Sequence, residues 1–199
     1  ADDGKGGTDD GKGSTSTNNV PYSNPDNLIV FNDKLFFTAG DYQGLFMSNG
    51  TDAGTVEVSG PCFVDDLTIF NDTLFCSAEH GMMLCKLGDR GFGLELIPVW
   101  ENGYFIEIDH LTVVGDTLFF TADDPGSGFN YHGNELWKTD GTVEGTELVK
   151  NIVIMNTGQG GSDGGSYPDQ LTACDDKLFF TADNLSWGRE LWVSDGTDA

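Results

Sequence analysis

Apolar residues in this chain fall in short runs separated by clusters of Gly, Asp, Asn and Thr, and no segment repeats them at the 3.6-residue period of an amphipathic helix. The runs recur. LFFTA stands at 35–39, 118–122 and 178–182, with LFCSA at 74–78. A second apolar stretch precedes each copy: LIVFNDK at 28–34, LTIFNDT at 67–73, LTVVGDT at 111–117 and LTACDDK at 171–177. The dipeptides Asn32-Asp33, Asn71-Asp72, Gly115-Asp116 and Asp175-Asp176 mark tight turns between the two, since Asn, Asp and Gly tolerate the positive φ that two-residue hairpins need. A third strand and a Gly-containing turn follow: GLFMSNGTDAGTVEV at 44–58, MLCKLGDRGFGLELI at 83–97, GNELWKTDGTVEGTELVK at 133–150 and RELWVSDGTDA at 189–199.

One unit therefore reads as four short antiparallel strands in about 40–45 residues, the period and strand count of a β-propeller blade. The leading leucines Leu35, Leu74, Leu118 and Leu178 are spaced by 39, 44 and 60 residues, the last gap containing insertions at 125–133 and 155–168. The expectation is an all-β chain: a β-propeller of about four four-stranded antiparallel blades with essentially no helix. Units fall at about 27–62, 63–106, 107–166 and 167–199. Residues 1–26, rich in Gly, Asp and Ser with DDGKG at 2–6 and 9–13, form either a linker or a ring-closing strand.

The fourth unit stops at the turn Asp195-Gly196-Thr197, short of the outer strand that GTELVKNI supplies in the third. An unpaired edge is something natural sheets avoid. Two solutions stand open: Ser14 to Val20 closes a ring within the chain, or a neighbouring subunit adds the strand.

Glu135-Leu136-Trp137 with Asp140-Gly141-Thr142, and Glu190-Leu191-Trp192 with Asp195-Gly196-Thr197, resemble the ELWxxDGT repeat family. The resemblance covers about 27–199 and is close only in the third and fourth units. The first departs with Leu45-Phe46 and Asn49, the second with Leu84-Cys85 and Gly88-Asp89. It implies large, secreted or cell-surface proteins of β-propeller architecture and no established catalytic residues. Asp140, Gly141, Thr142, Asp195, Gly196 and Thr197 are then turn formers.

Composition narrows the partners. A net charge of −24 over 199 residues argues against nucleic acid and against anionic membrane surfaces, both of which need a basic face. No run approaches the ~18–20 apolar residues of a membrane span. The acids are 24 Asp against 9 Glu, which suits turns and leaves calcium possible as a bound ion, with no ligand set identified. Sequons at Asn49, Asn71 and Asn184 sit at or beside expected turns, where a glycan is tolerated.

Cys76 stands where other units have Phe37, Phe120 and Phe180, and Cys85 where they have Phe46, Trp137 and Trp192. A His80-Gly81 turn sets 76 opposite 85, and Cα atoms of such a pair lie ~4.5–5.5 Å apart, within disulfide reach. The pair is read as a disulfide that offsets the lost aromatic packing, or as two buried thiols. Cys62 and Cys174 pair only if the fold brings the second and fourth units together. Disulfides and sequons together favour an extracellular or cell-surface location.

No nucleophile stands with His80, His110 or His132, and the acid pairs Asp65-Asp66 and Asp123-Asp124 are common in any acidic chain. Trp137 and Trp192 are expected in the core, whereas Trp100, Tyr104, Tyr131, Tyr167 and Trp187 fall in loops and are the candidate binding aromatics. The sequence thus reads as a non-catalytic, self-associating extracellular structural protein with neighbouring subunits as partners. The alternative is a carbohydrate-binding module, calcium-dependent or not.

Overall fold

The computed structural model of the chain describes residues 24–60, 62–89, 91–97, 106–123, 132–153 and 164–197. They form four antiparallel sheets in sequence order. The first holds β1 (Asp26–Phe31), β2 (Lys34–Ala39), β3 (Gly44–Ser48) and β4 (Val56–Glu57). The second holds β5 (Val64–Phe70), β6 (Thr73–Ala78), β7 (Met83–Leu87) and β8 (Leu94–Leu96). The third holds β9 (Ile106–Val114), β10 (Thr117–Asp123), β11 (Asn134–Thr139) and β12 (Glu147–Lys150). The fourth is three-stranded, with β13 (Asp169–Cys174), β14 (Lys177–Asn184) and β15 (Gly188–Ser194). Among the described residues the sole helical element is a 3₁₀ turn at Asp52–Gly54. Two strands overrun the expected unit boundaries by a residue: β1 starts at Asp26 and β9 at Ile106.

Turn chemistry sets the register. Phe31 pairs with Lys34 and Phe70 with Thr73, across Asn32-Asp33 and Asn71-Asp72, all four at positive φ. Gly115 and Asp175 alone take that region in the other two turns. These are the patterns of type I′ and II′ hairpins, whose twist matches the flanking strands. His80 and Gly81 also lie at positive φ, and their turn sets Cys76 opposite Cys85 as the spacing predicts.

Because side chains alternate across a strand, each sheet has two apolar faces, and neighbouring units cover both in the second and third sheets. Phe36, Leu45 and Met47 of the first sheet pack on Leu74, Cys76, Cys85 and Leu87 of the second. Phe75 and Leu84 of the second meet Leu118, Phe120 and Trp137 of the third. Phe119 and Leu136 of the third meet Leu178, Phe180 and Trp192 of the fourth. One face, written here as leading, always meets the other, trailing, face of the next unit. The first strands β1, β5, β9 and β13 lie in series, each against the next, and no comparable contact joins β13 back to β1.

Candidate functional site

Every first strand carries the same irregularity. The ladder slips between Asp26 and Ile29, between Asp65 and Thr68, and at Asp109 and Asp169 in the later units. At each bulge an Asp carboxylate accepts the N–H of the following residue: Asp26 from Asn27 (2.9 Å), Asp65 from Asp66 (2.9 Å), Asp109 from His110 (2.8 Å) and Asp169 from Gln170 (2.6 Å). That following residue lies at positive φ in all four units. The Thr of LFFTA completes the motif, since Thr38, Thr121 and Thr181 donate to the carbonyls of Asp26, Asp109 and Asp169. A bulge of this kind re-aims a side chain.

The re-aimed side chain links units. Asn27 Nδ2 donates to Asp65 Oδ1 at 2.7 Å. Asp66 Oδ2 accepts the Leu111 N–H at 2.8 Å. His110 Nε2 lies 3.4 Å from Asp169 Oδ1, while its Nδ1 lies 3.3 Å from Thr121 Oγ. Gln170, the fourth member, is exposed. Burial holds the Asp66 carboxyl up at about 6; the Leu111 N–H opposes this, Asp109 adds to it, His110 opposes it and Asp65 adds a last small push.

The bulges of the second, third and fourth units open onto a cavity of about 490 Å³, with Asp65, Asp109, Asp169, His110, Tyr167 and Arg189 among its walls and Gln43 from the first unit. Phe63 and His80 stack at one side with ring centroids 3.7 Å apart. Arg189 is already engaged: its guanidinium donates to Thr181 Oγ (3.1 Å) and the Tyr167 carbonyl (2.9 Å), and pairs with Asp183 (3.3 Å). The remaining walls are rich in carboxylates, so the cavity suits a hydroxyl-rich or cationic ligand over an anion. Among the described residues no group of three or more His, Cys, Asp or Glu side chains is arranged to hold a metal ion.

The Glu and the DGT triplet of the repeat act between units. Glu135 is fully buried, and its Oε2 accepts the Ser166 hydroxyl at 2.5 Å, tying β11 to the segment that leads into β13. Burial pushes this carboxyl up to about 7, against the opposing pull of the Ser166 hydroxyl and of the Ile152, Val153 and Ser166 N–H groups nearby. Asp140 Oδ1 accepts from Thr142 N (2.9 Å) and Oγ (2.7 Å), and Asp195 makes the same two bonds with Thr197. These bonds hold both carboxyls below the usual range. Gly141 and Gly196 lie at φ +94° and +85°, and a Cβ there would stand 3.2 Å from the ring of Phe75 or Phe119 in the preceding unit. Only glycine meets both demands.

The other sequence-derived residues divide. Cys76 and Cys85 face each other as expected, and the structure holds both as buried free thiols with no bond between them. Burial, then Cys85, Cys62 and Asp66, raise the Cys76 thiol well above its ordinary range; burial, Cys62 and Glu79 push Cys85 up to about 12. Cys62 and Cys174 are not brought together: Cys62 packs into the cluster between the first two sheets, whereas Cys174 is exposed in the fourth. The reason is the series itself, which sets one whole sheet between the second and fourth units. Trp137 is buried and Trp192 half-buried, as expected of core residues. Tyr167 and Trp187 are exposed, Tyr167 on the cavity wall. Trp100, Tyr104, Tyr131 and the ring-closing segment 14–20 lie outside the described residues. Asn49 and Asn71 are exposed and at turns, and Asn184 is half-buried at the end of β14, beside one. Asp65-Asp66 and His110 read from the sequence as a common acid pair and a lone histidine, and Asp26, Asp109 and Asp169 do not stand out there, although an Asp two residues before each strand leucine (Leu28, Leu67, Leu111, Leu171) is a visible signal.

No family model matches the chain, and no curated protein matches it. Among solved structures, a glycoside hydrolase aligns over 87% of this chain and 46% of its own length, at 12% identity and a TM-score of 0.41. The chain thus spans about half the length of that structure, and so distant a likeness carries no argument about activity.

Proposed function

We propose that the chain is a non-catalytic, extracellular structural module whose four sheets are blades of β-propeller type, related to the ELWxxDGT repeats, and that it associates with further copies of itself end to end. One observation carries this reading. The leucine of the third strand is 0% exposed in the first unit (Leu45), 0% in the second (Leu84) and 2% in the third (Leu136), but 72% in the fourth (Leu191). Val193 beside it is also exposed, and so are Leu28 and Val30 on the trailing face of the first sheet. Three internal junctions bury a leading face against a trailing face, so these two ends are complementary by repetition. Burying each such side chain is worth about 1.5–3 kcal/mol. A head-to-tail contact of this kind builds a ring if its rotation closes and a filament if it does not.

Analytical ultracentrifugation over a concentration series tests the reading. Expected is reversible association that Leu191→Asp and Leu28→Asp each abolish, with both variants folded by circular dichroism. A monomer at every concentration, or association that neither substitution weakens, overturns it. A second reading, carbohydrate binding, is favoured by the carboxylate-lined cavity with Tyr167 on its wall. Glycan-array binding, with and without calcium, that is lost in Asp109→Ala supports it; no glycan bound under either condition removes it.

A further inference from the structure

The fourth sheet differs from the others in a second way, independent of its exposed face. β4, β8 and β12 complete the first three sheets, whereas nothing among the described residues pairs with the outer edge of β15. Beside that edge, between the third and fourth sheets, lies a hollow of about 290 Å³ whose apolar walls include Leu136, Val149, Phe180 and Trp192, with Lys177 and Asp195 among its polar ones.

The third sheet, whose Glu-Leu-Trp strand matches that of the fourth, shows what fits there. In the third sheet Leu148 of β12 stands opposite Trp137 and packs into the cluster shared with the second sheet. The other two sheets vary at this position: Leu96 faces Cys85 in the second and is exposed, with Leu94, opposite Leu87, packing toward the first instead, and Glu57 faces Phe46 in the first. Trp192 occupies the position of Trp137, so the residue opposite Trp192 would enter the hollow. The neighbouring position also differs. Lys138 and Lys86 pair with Glu147 (2.8 Å) and Glu95 (3.6 Å) on their outer strands, but the fourth sheet has Val193 there.

We propose that the outer edge of β15 and this hollow form an acceptor site for an extended segment of another polypeptide. The segment adds as a fourth antiparallel strand, seats a branched aliphatic side chain opposite Trp192, and carries an uncharged residue, not a glutamate, opposite Val193. Main-chain hydrogen bonds supply affinity and the hollow supplies selectivity. The site is separable from end-to-end association, because it is built on the sheet's edge and on the Trp192 side, and of the exposed leading face it shares only Val193.

The test uses the full chain carrying Leu28→Asp, to hold it monomeric, and a capped octapeptide of the chain's own outer strand, GTELVKNI (145–152). Amide hydrogen exchange is followed across 188–194 while peptide is titrated. Expected are fast exchange at the β15 edge in the free chain, protection on adding peptide, at least tenfold weaker binding when the peptide carries Leu148→Asp, and tighter binding when it carries Glu147→Val. Slow exchange in the free chain overturns the proposal, since a segment of the same chain then covers the edge. So does the absence of β15 protection, or equal binding of the Leu148→Asp peptide. None of these results bears on whether unmodified chains associate, so the two readings fail separately.

Discussion

The third and fourth sheets carry nearly the same third strand, Asn134-Glu-Leu-Trp-Lys-Thr139 against Arg189-Glu-Leu-Trp-Val-Ser194, paired to nearly the same LFFTA strand. Yet Glu135 and Leu136 are buried while Glu190 and Leu191 are exposed. Local sequence and backbone are held constant by the repeat, so the difference comes from the neighbour. The third sheet has a unit on each side; among the described residues the fourth has one on its trailing face alone. Burial of the ELW motif is thus a property of the junction, and the energetic role of each residue is set by what lies against the sheet.

That contrast is most sharply broken by truncating the two leucines. Leu136→Ala leaves a hole between two packed sheets and is expected to cost about 2–5 kcal/mol in urea unfolding. Leu191→Ala in the dilute, unassociated chain is expected to stay within about 0.5 kcal/mol. Equal losses would mean that the fourth leading face is covered in solution.

The second-largest effect concerns the junction in which cysteines replace aromatics. Oxidising Cys76 and Cys85 to a disulfide closes a short loop and is expected to stabilise the chain by about 2–3 kcal/mol, lost again on reduction. The high thiol pKa values make uncatalysed oxidation slow near neutral pH, since the thiolate is the reacting species. Mass spectrometry of protein from its native source under non-reducing conditions checks whether the bond forms there. Four free thiols would remove the main support for an extracellular location.

How much of this was legible in the sequence follows from what each feature depends on. The strands, the two-residue turns and the pairing of Cys76 with Cys85 depend on residues within one unit, and period, Asn-Asp or Gly-Asp dipeptides and turn symmetry give them directly. The bulge motif depends on Asp26, Asp65, Asp109 and Asp169 sharing one position, which each alone hides among 24 aspartates. His110 likewise reads as an isolated surface histidine until Asp169 of the next unit lies beside it. The separation of Cys62 from Cys174, and the exposure of Leu191, depend on how units stack and on what lies beyond the last one. No pattern inside a unit encodes either.

The buried Glu135 gives a smaller, pH-dependent effect at the junction between sheets three and four. Its folded-state pKa, about 7, lies above the model-compound 4.5, so the folded chain holds this proton more tightly than the unfolded chain. Stability from this group is therefore full below about pH 4.5 and is lost as pH rises towards 7. Asp66 acts in the same direction between 3.8 and about 6. Comparison between pH 6 and 7.5 isolates Glu135: Tm of the parent is expected to fall by a few degrees more than that of Glu135→Gln. Repulsion from the net charge acts on both and cancels. Glu190→Gln, at the exposed counterpart, is the control; a similar change there would show that the unpartnered sheet hides its glutamate after all.

The smallest expected effect separates the two DGT turns. Asp140 holds the turn between β11 and β12, with Gly141 seated on Phe75, so Asp140→Ala loosens a strand connection and a unit junction together. Its exposure keeps the loss below about 1 kcal/mol. Asp195 makes the same bonds but, among the described residues, opens onto no paired strand, and Asp195→Ala should shift Tm less. The sign of the pH dependence is opposite to that of Glu135. A depressed carboxyl contributes stability above its unfolded value of 3.8, and this disappears as pH falls through the lower folded value. Parent and Asp140→Ala should therefore differ at pH 6 and converge in acid. If the octapeptide completes the fourth sheet, the Asp195→Ala shift should grow towards that of Asp140→Ala, because the turn would then join two paired strands.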